Sequence, residues 1–342
     1  MLPVAELHVH IEGTLEPELL VKLAARNGTR MPTLDADELR ATYQFDGLLS
    51  FLRLYYANLR VLRIEADFYD LASVYLARAA AAGVRRAEIF FDPQTHLANG
   101  VPLEELFGGL TAALADGARD HGISADLIPC FLRDLGADAA NAMLRACLPF
   151  RDQFIGVGLD SAEVGYPPAL FTEVYRRAAA EGLRLVAHAG EEGGPDYVRG
   201  ALDELRVERV DHGVRSVEDP ELVARLRAEQ IPLTVCPLSN VALRVVGTIG
   251  DHMLPGMLDA GLLATVNSDD PAYFGGYVDD NLAALSSAFG YDDARLATLA
   301  RNSFDACFAP DADKQRWKAE VDSWLYTRSG RRVPGRNDGA LD

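Results

Sequence analysis

Cysteine is scarce in this chain of 342 residues: Cys130, Cys147, Cys236 and Cys307 stand far apart, with no C-x-x-C spacing. A disulfide scaffold is excluded, and reduced, mostly buried thiols are expected. Positive charge is short as well, since 33 Lys and Arg face 51 Asp and Glu, a formal net charge of −18. Such a field repels a phosphate backbone, which excludes nucleic acid and anionic membrane as partners. No run approaches the roughly eighteen apolar residues of a membrane span. The opening MLPVAELHVHIEG has neither a basic n-region nor a long apolar h-region, so the expected location is the cytoplasm. Internal repeats and low-complexity blocks are missing too. What is present is ordinary for a globular protein: 49% hydrophobic residues, enough to fill at least one large core.

Short β-rich apolar runs alternate with longer stretches of helical period, the pattern of βα units around a parallel sheet. Eight such runs occur, at 6–10, 86–91, 125–132, 154–159, 183–189, 207–212, 231–236 and 262–267. Helices are predicted between them, among others over 65–83 closed by Gly83, over 102–122, and over 219–230 capped by Asp219. Eight parallel strands predict a closed (β/α)8 TIM barrel of about 250 residues with additions. The additions are extra helices inserted after the first strand and a C-terminal helical extension. Within the insertion, YQFDGLLSFLRLYYANLRVL (43–62) groups Phe45, Phe51, Tyr55 and Tyr56, which read either as core or as a lid beside the barrel mouth. Residues 1–328 are expected to form a single domain, and 329–342, with no apolar period, a flexible tail.

Four strand ends concentrate side chains that bind metals and move protons. In LHVHIEG, His8 and His10 alternate along a strand, so both imidazoles point to the barrel interior near its top. Such a pair either shares a metal or is satisfied by local hydrogen bonds. The fifth strand ends in AHAGEEGGP, which places His188 and, three residues on, Glu191. The sixth ends in VDHGV with His212, and the eighth in VNSDDP with Asp269 and Asp270. Taken alone, SDDP reads as a capped turn. After LLATVN it falls at the strand C-terminus, the face where barrel enzymes carry their active sites, together with three other such clusters.

His8, His10, His188 and Asp269 form a three-imidazole, one-carboxylate set that suits a borderline divalent ion, Zn2+ first, with Fe2+ or Mn2+ open. Glu191 and His212 remain as acid and base. Two adjacent carboxylates repel unless a cation neutralises one and a substrate hydrogen bond engages the other, which assigns Asp269 to metal and Asp270 to substrate. His121 and His252 lie in helical or loop stretches and are expected in solvent, while His96 is a weaker candidate for the pocket wall.

With HVHIEG, HAGEEG, DHG and NSDDP in that order, the sequence resembles the adenosine and adenine deaminases, metal-dependent barrels of the amidohydrolase kind, over nearly its whole length. The resemblance implies the same four metal ligands, Glu191 as proton donor to purine N1, His212 as the group that orients and helps deprotonate the attacking water, and Asp270 at N7. FFDPQTH, VCPLSN and VNSDDPAYFGGYV look like the adenine deaminase branch, which implies a free purine base as the small-molecule partner and purine salvage as the role. Glu12 stands where the nucleoside enzymes tend to have Asp, and Glu163 where they have Gly. Both are expected at the substrate, Glu163 excluding nucleosides by bonding to the N–H of the free base. Ala242 departs from the Lys often found in that branch.

The implied reaction is hydrolytic deamination of adenine to hypoxanthine and ammonia by a zinc-activated water. Deamination of adenosine or of an N6-substituted adenine by the same chemistry is an alternative. A catalytically silent purine-binding barrel is another, which predicts a damaged set of residues. The other zinc nucleobase deaminase architecture needs P-C-x-x-C, and PC at 129–130 has no second cysteine. The sequence leaves a homo-oligomer open.

Overall fold

The apolar run at the start forms β1, Val4–His10, buried at every position. In the computed structural model, which describes residues 1–328, seven further strands follow it in chain order. They are β2 Val84–Phe91, β3 Ser124–Leu132, β4 Gly156–Asp160, β5 Arg184–Ala189, β6 Arg209–His212, β7 Leu233–Val235 and β8 Ala264–Val266. All pair in parallel in the order β1 to β8. Near-continuous apolar sequence is what parallel strands covered on both faces require. The ring closes through the segment after β8, where Val9 bridges Asp269 in parallel, His10 N donates to Asp269 O at 3.0 Å and Asp269 N donates to His8 O at 3.0 Å. Closing the barrel therefore places Asp269 between the two histidines of β1. The eight expected strands and the (β/α)8 architecture are all present.

The helices predicted between strands occur at Glu65–Ala82, Leu103–His121 and Pro220–Glu229. Gly83 ends the first with φ 103°, a conformation that a side chain disfavours. Asp219 caps the third by accepting from Glu221 N and Leu222 N. The insertion after β1 contributes Pro17–Asn27, Ala36–Ala41 and Leu48–Asn58, and the C-terminal extension is Asp293–Ala306 and Asp311–Arg328. The tail expected at 329–342 lies outside the described residues. Among the described residues no helix is long and apolar enough to cross a membrane.

Inside the barrel, Phe90, Ile128, Cys130 and Val186 form a small apolar plug, separate from the large core between strands and helices. Beneath it Glu88 pairs with both Arg86 and Arg209, all buried. Above it the ring of His8 packs 5.0 Å from that of Phe90. The plug is thus the floor on which the histidines stand.

Candidate active site

Each predicted site residue sits at the C-terminal end of its strand or in the loop that follows. Nε2 of His10 and Nε2 of His188 lie 3.1 Å apart, and Asp269 Oδ1 is 3.3 Å from His8 Nε2 and 3.6 Å from His10 Nε2. Four ligand atoms, one from each of His8, His10, His188 and Asp269, fall within 4.8 Å of one another, all buried. Burial pulls His10 down to about 4 and His188 well below the usual imidazole range, so both rings are neutral with free lone pairs. Burial opposes ionisation of Asp269, yet the neighbouring His8 holds its carboxyl well below the usual value. Neutral nitrogens and one carboxylate converging on one point fit a divalent cation. Cys236 also lies near His8, His212 and Asp269, but burial pushes its thiol up and it donates instead to Thr234 O.

A buried chain fixes the His8 ring. Thr234 donates its hydroxyl proton to Asp211 Oδ1 at 2.9 Å, so toward His8 Nδ1, also 2.9 Å away, the same hydroxyl oxygen accepts. His8 therefore carries its proton on Nδ1 and presents a bare Nε2 to the metal position. Asp211 in turn lies 3.4 Å from Arg209. His10 Nδ1 faces Asp160 Oδ2 at 3.7 Å.

Glu191 and His212 meet above the ligand cluster, with Glu191 Oε2 3.5 Å from His212 Nε2. Burial, reinforced by Asp269 and Glu163, pushes the Glu191 carboxyl well above its ordinary value. Burial pulls His212 down to about 3. The same burial thus favours the uncharged form of both side chains. Asp270 is likewise raised by burial and by Asp269. His212 and Asp269 both adopt left-handed backbone, φ 64° and 65°, an uncommon conformation for these residues that clusters at functional sites.

These groups open onto one cavity with an empty volume of about 390 Å3, part of it open to solvent. His10, His188, Glu191, His212, Asp269 and Asp270 line its floor and walls, with His8 fully buried beneath. Leu48, Phe51, Leu52, Tyr55 and Tyr56 of the inserted helix line it too. Phe51 packs on Tyr55 and Phe274 at ring distances of 5.2 and 4.7 Å, and Tyr43 stacks on Tyr273 at 4.6 Å. The aromatic group is both core and wall, and Phe45 takes part only in the packing.

Three expectations are corrected. Glu163 is not free to contact a substrate, because its carboxylate accepts four backbone N–H groups, from Gly190, Glu191, Glu192 and Gly193, at 2.6 to 3.1 Å. It clamps the loop that carries Glu191. Glu12 is also set back from the cavity: its Oε1 accepts from Asp92 N at 2.9 Å and meets His96 Nε2 at 2.9 Å. His96 consequently stays behind the wall. His252, expected in solvent, is buried, with Nε2 3.1 Å from Asn240 Oδ1 and Nδ1 accepting from Leu254 N. His121 is exposed, as expected.

Sequence reasoning missed Asp92 and Asp160, which also line the cavity. Each follows or ends a barrel strand, the same signal that located Asp269. Burial raises both carboxyls, Asp160 to about 7.

The family model described as adenosine deaminase matches residues 3–324. An adenine deaminase of Streptomyces coelicolor is 61% identical over 327 residues, covering 95% of this chain and 96% of its own. The crystal structure of an adenine deaminase from Arthrobacter aurescens superimposes with a TM-score of 0.94 at 54% identity, over 95% of this chain and 99% of that one. An amidohydrolase from Burkholderia ambifaria, solved with bound zinc, gives 0.87 at 32% identity, over 96% and 92%. Matched by that family model over nearly its whole length and by such relatives, the chain belongs to the adenosine deaminase family.

Proposed function

We infer that the protein hydrolyses free adenine to hypoxanthine and ammonia, with Zn2+ as the metal. The observation that carries the reaction is the placement of Glu191, His212 and a group of four potential metal ligands around one cavity. Adenine is supported by the relatives named for that activity at 61% and 54% identity. Zinc is supported by the donor set and by the zinc-bound relative. The reaction would serve purine salvage in the cytoplasm.

The bound ion would supply Lewis acidity that activates water at neutral pH. Glu191 gives its proton to N1, which turns the ring into an acceptor for electrons arriving at C6. His212, neutral and 3.5 Å from Glu191, takes a proton from the attacking water. That proton leaves with the amino group as ammonia, and the second water proton restores Glu191. Asp270 holds N7 and fixes the ring so that C6 faces the metal and N1 faces Glu191. A silent barrel predicts a broken set, and every member is present and oriented.

The test is loss of adenine ultraviolet absorbance with metal-loaded protein, profiled beside adenosine and N6-methyladenine. Adenine is expected to be the best substrate, with chelated protein inactive. Glu191→Gln is expected to keep its metal and lose about 10²–10⁴-fold in kcat. Wild-type kcat in that variant would remove Glu191 from its role.

A further inference from the structure

With N1 at Glu191, C6 at the metal and N7 at Asp270, one purine edge is left over, the one holding N3 and N9. In adenine N9 carries hydrogen, whereas in a nucleoside it carries the sugar. The cavity volume of about 390 Å3 does not by itself separate the two. The chemistry of the remaining wall does.

Beyond the residues already assigned, the cavity lining includes Asp92, Asp160 and Tyr55, all at most 3% exposed. The Asp92 and Asp160 side chains are hydrogen-bonded to each other, while Oδ1 of each and Tyr55 Oη have no hydrogen-bond partner among the described residues. Asp92 stands at the N-cap of the helix Pro93–Ala98, where an aspartate usually accepts from the helix's first N–H groups, yet its side chain makes no cap bond. Its backbone N–H is pinned by Glu12, and its carboxyl reaches the cavity instead. Tyr55 comes from a different element, the helix Leu48–Asn58, and brings a hydroxyl donor to the same cavity. Buried polar atoms left without partners are costly, so a site that keeps several is built for a ligand that completes them.

We propose that Asp92, with Asp160 and the Tyr55 hydroxyl, receives the N3–N9 edge of the free base, Asp92 accepting from N9–H, and that this wall selects the free base over nucleosides. A ligand substituted at N9 offers no hydrogen there and leaves the carboxyl oxygens unpaired against carbon. Rejection by such unpaired groups is stronger than rejection by lack of space. The proposal rests on adenine as the substrate. It gives Asp92 the specificity role that Glu163, engaged by four backbone groups, does not fill.

Asp160 faces His10 Nδ1 at 3.7 Å and Asp92 lies within 4.8 Å of both, so Asp92 is the side chain to vary and metal content is read in every variant. The full, zinc-loaded chain is assayed for kcat/KM on adenine and on 9-methyladenine, and for equilibrium binding of hypoxanthine and 9-methylhypoxanthine, as wild type, Asp92→Ala and Asp92→Asn. Wild type is expected to favour adenine by roughly 100-fold or more, and Asp92→Ala to shrink that ratio by about tenfold or more with metal content unchanged. Asp92→Asn keeps one acceptor oxygen and is expected to fall between them; it also decides the matter should the alanine variant not fold. Ratios unchanged in a folded variant, or loss of metal from both variants, would overturn the proposal. A wild type inactive on adenine but active on a nucleoside would overturn the substrate reading itself, and this inference with it.

Discussion

Glu191 and His212 lie 3.5 Å apart, and the same burial drives their proton affinities in opposite directions, raising the acid and lowering the base. In the proposed role Glu191 works in its protonated form, so kcat/KM should hold below its pKa and fall as pH rises through it. A pH profile of the metal-loaded enzyme checks the sign: a rise that continues from about pH 6 to about pH 9 would mean that Glu191 acts only as a base. The His8 ring is governed by a residue that carries no metal itself. Thr234→Val removes the acceptor for His8 Nδ1–H while preserving shape, and metal affinity should drop about 10–100-fold in a competition titration with a chelator. An affinity equal to wild type would show that the Thr234 bond does not hold the ring. These roles were unevenly legible. His8, His10, His188 and Asp269 announced themselves as ligand-type residues at strand ends, whereas Thr234 is one unremarkable residue in an apolar strand, meaningful only once β7 lies beside β6 and His8.

The elements followed from periodicity. All eight strands coincide with the apolar runs, and helix ends fall at the expected Gly83 and Asp219. What periodicity does not carry is which side chains a loop consumes. Glu163 looked like a pocket residue because it stands where the nucleoside enzymes have Gly, but the loop 190–193 turns four N–H groups onto it. Asp92 and Asp160 were overlooked because each is a single carboxylate at its strand end, with neither a second acid beside it, as Asp269 has in Asp270, nor a histidine on the strand. Close approach between elements is equally invisible in one dimension. Gly13, just after β1, leaves room for Asp270: a Cβ there would lie 2.0 Å from Asp270 Oδ1 and 2.6 Å from its Cα. The backbone clash cannot be relieved by a rotamer change. Gly13→Ala should therefore displace Asp270 and lower kcat/KM by about 10²-fold while circular dichroism stays native. Kinetics at the wild-type level would mean that the approach is looser than these distances.

At the scale of the molecule, ring closure and chemistry are one event. The bridge between Val9 and Asp269 that shuts the barrel also sets the carboxylate ligand against the two histidines of β1. The apolar plug beneath and the aromatic helix above bury the cluster, and that burial lowers the His10 and His188 imidazoles and raises the Glu191 carboxyl. The excess of acidic residues, −18 overall, bears on partners rather than on fold. The most direct test of the whole account is to strip the metal, add Zn2+ back in measured equivalents, and follow adenine turnover alongside bound metal. Activity should rise linearly and level off at one ion per chain, with His8→Ala neither retaining the ion nor recovering turnover. Full turnover in stripped protein, or in His8→Ala without metal, would contradict it.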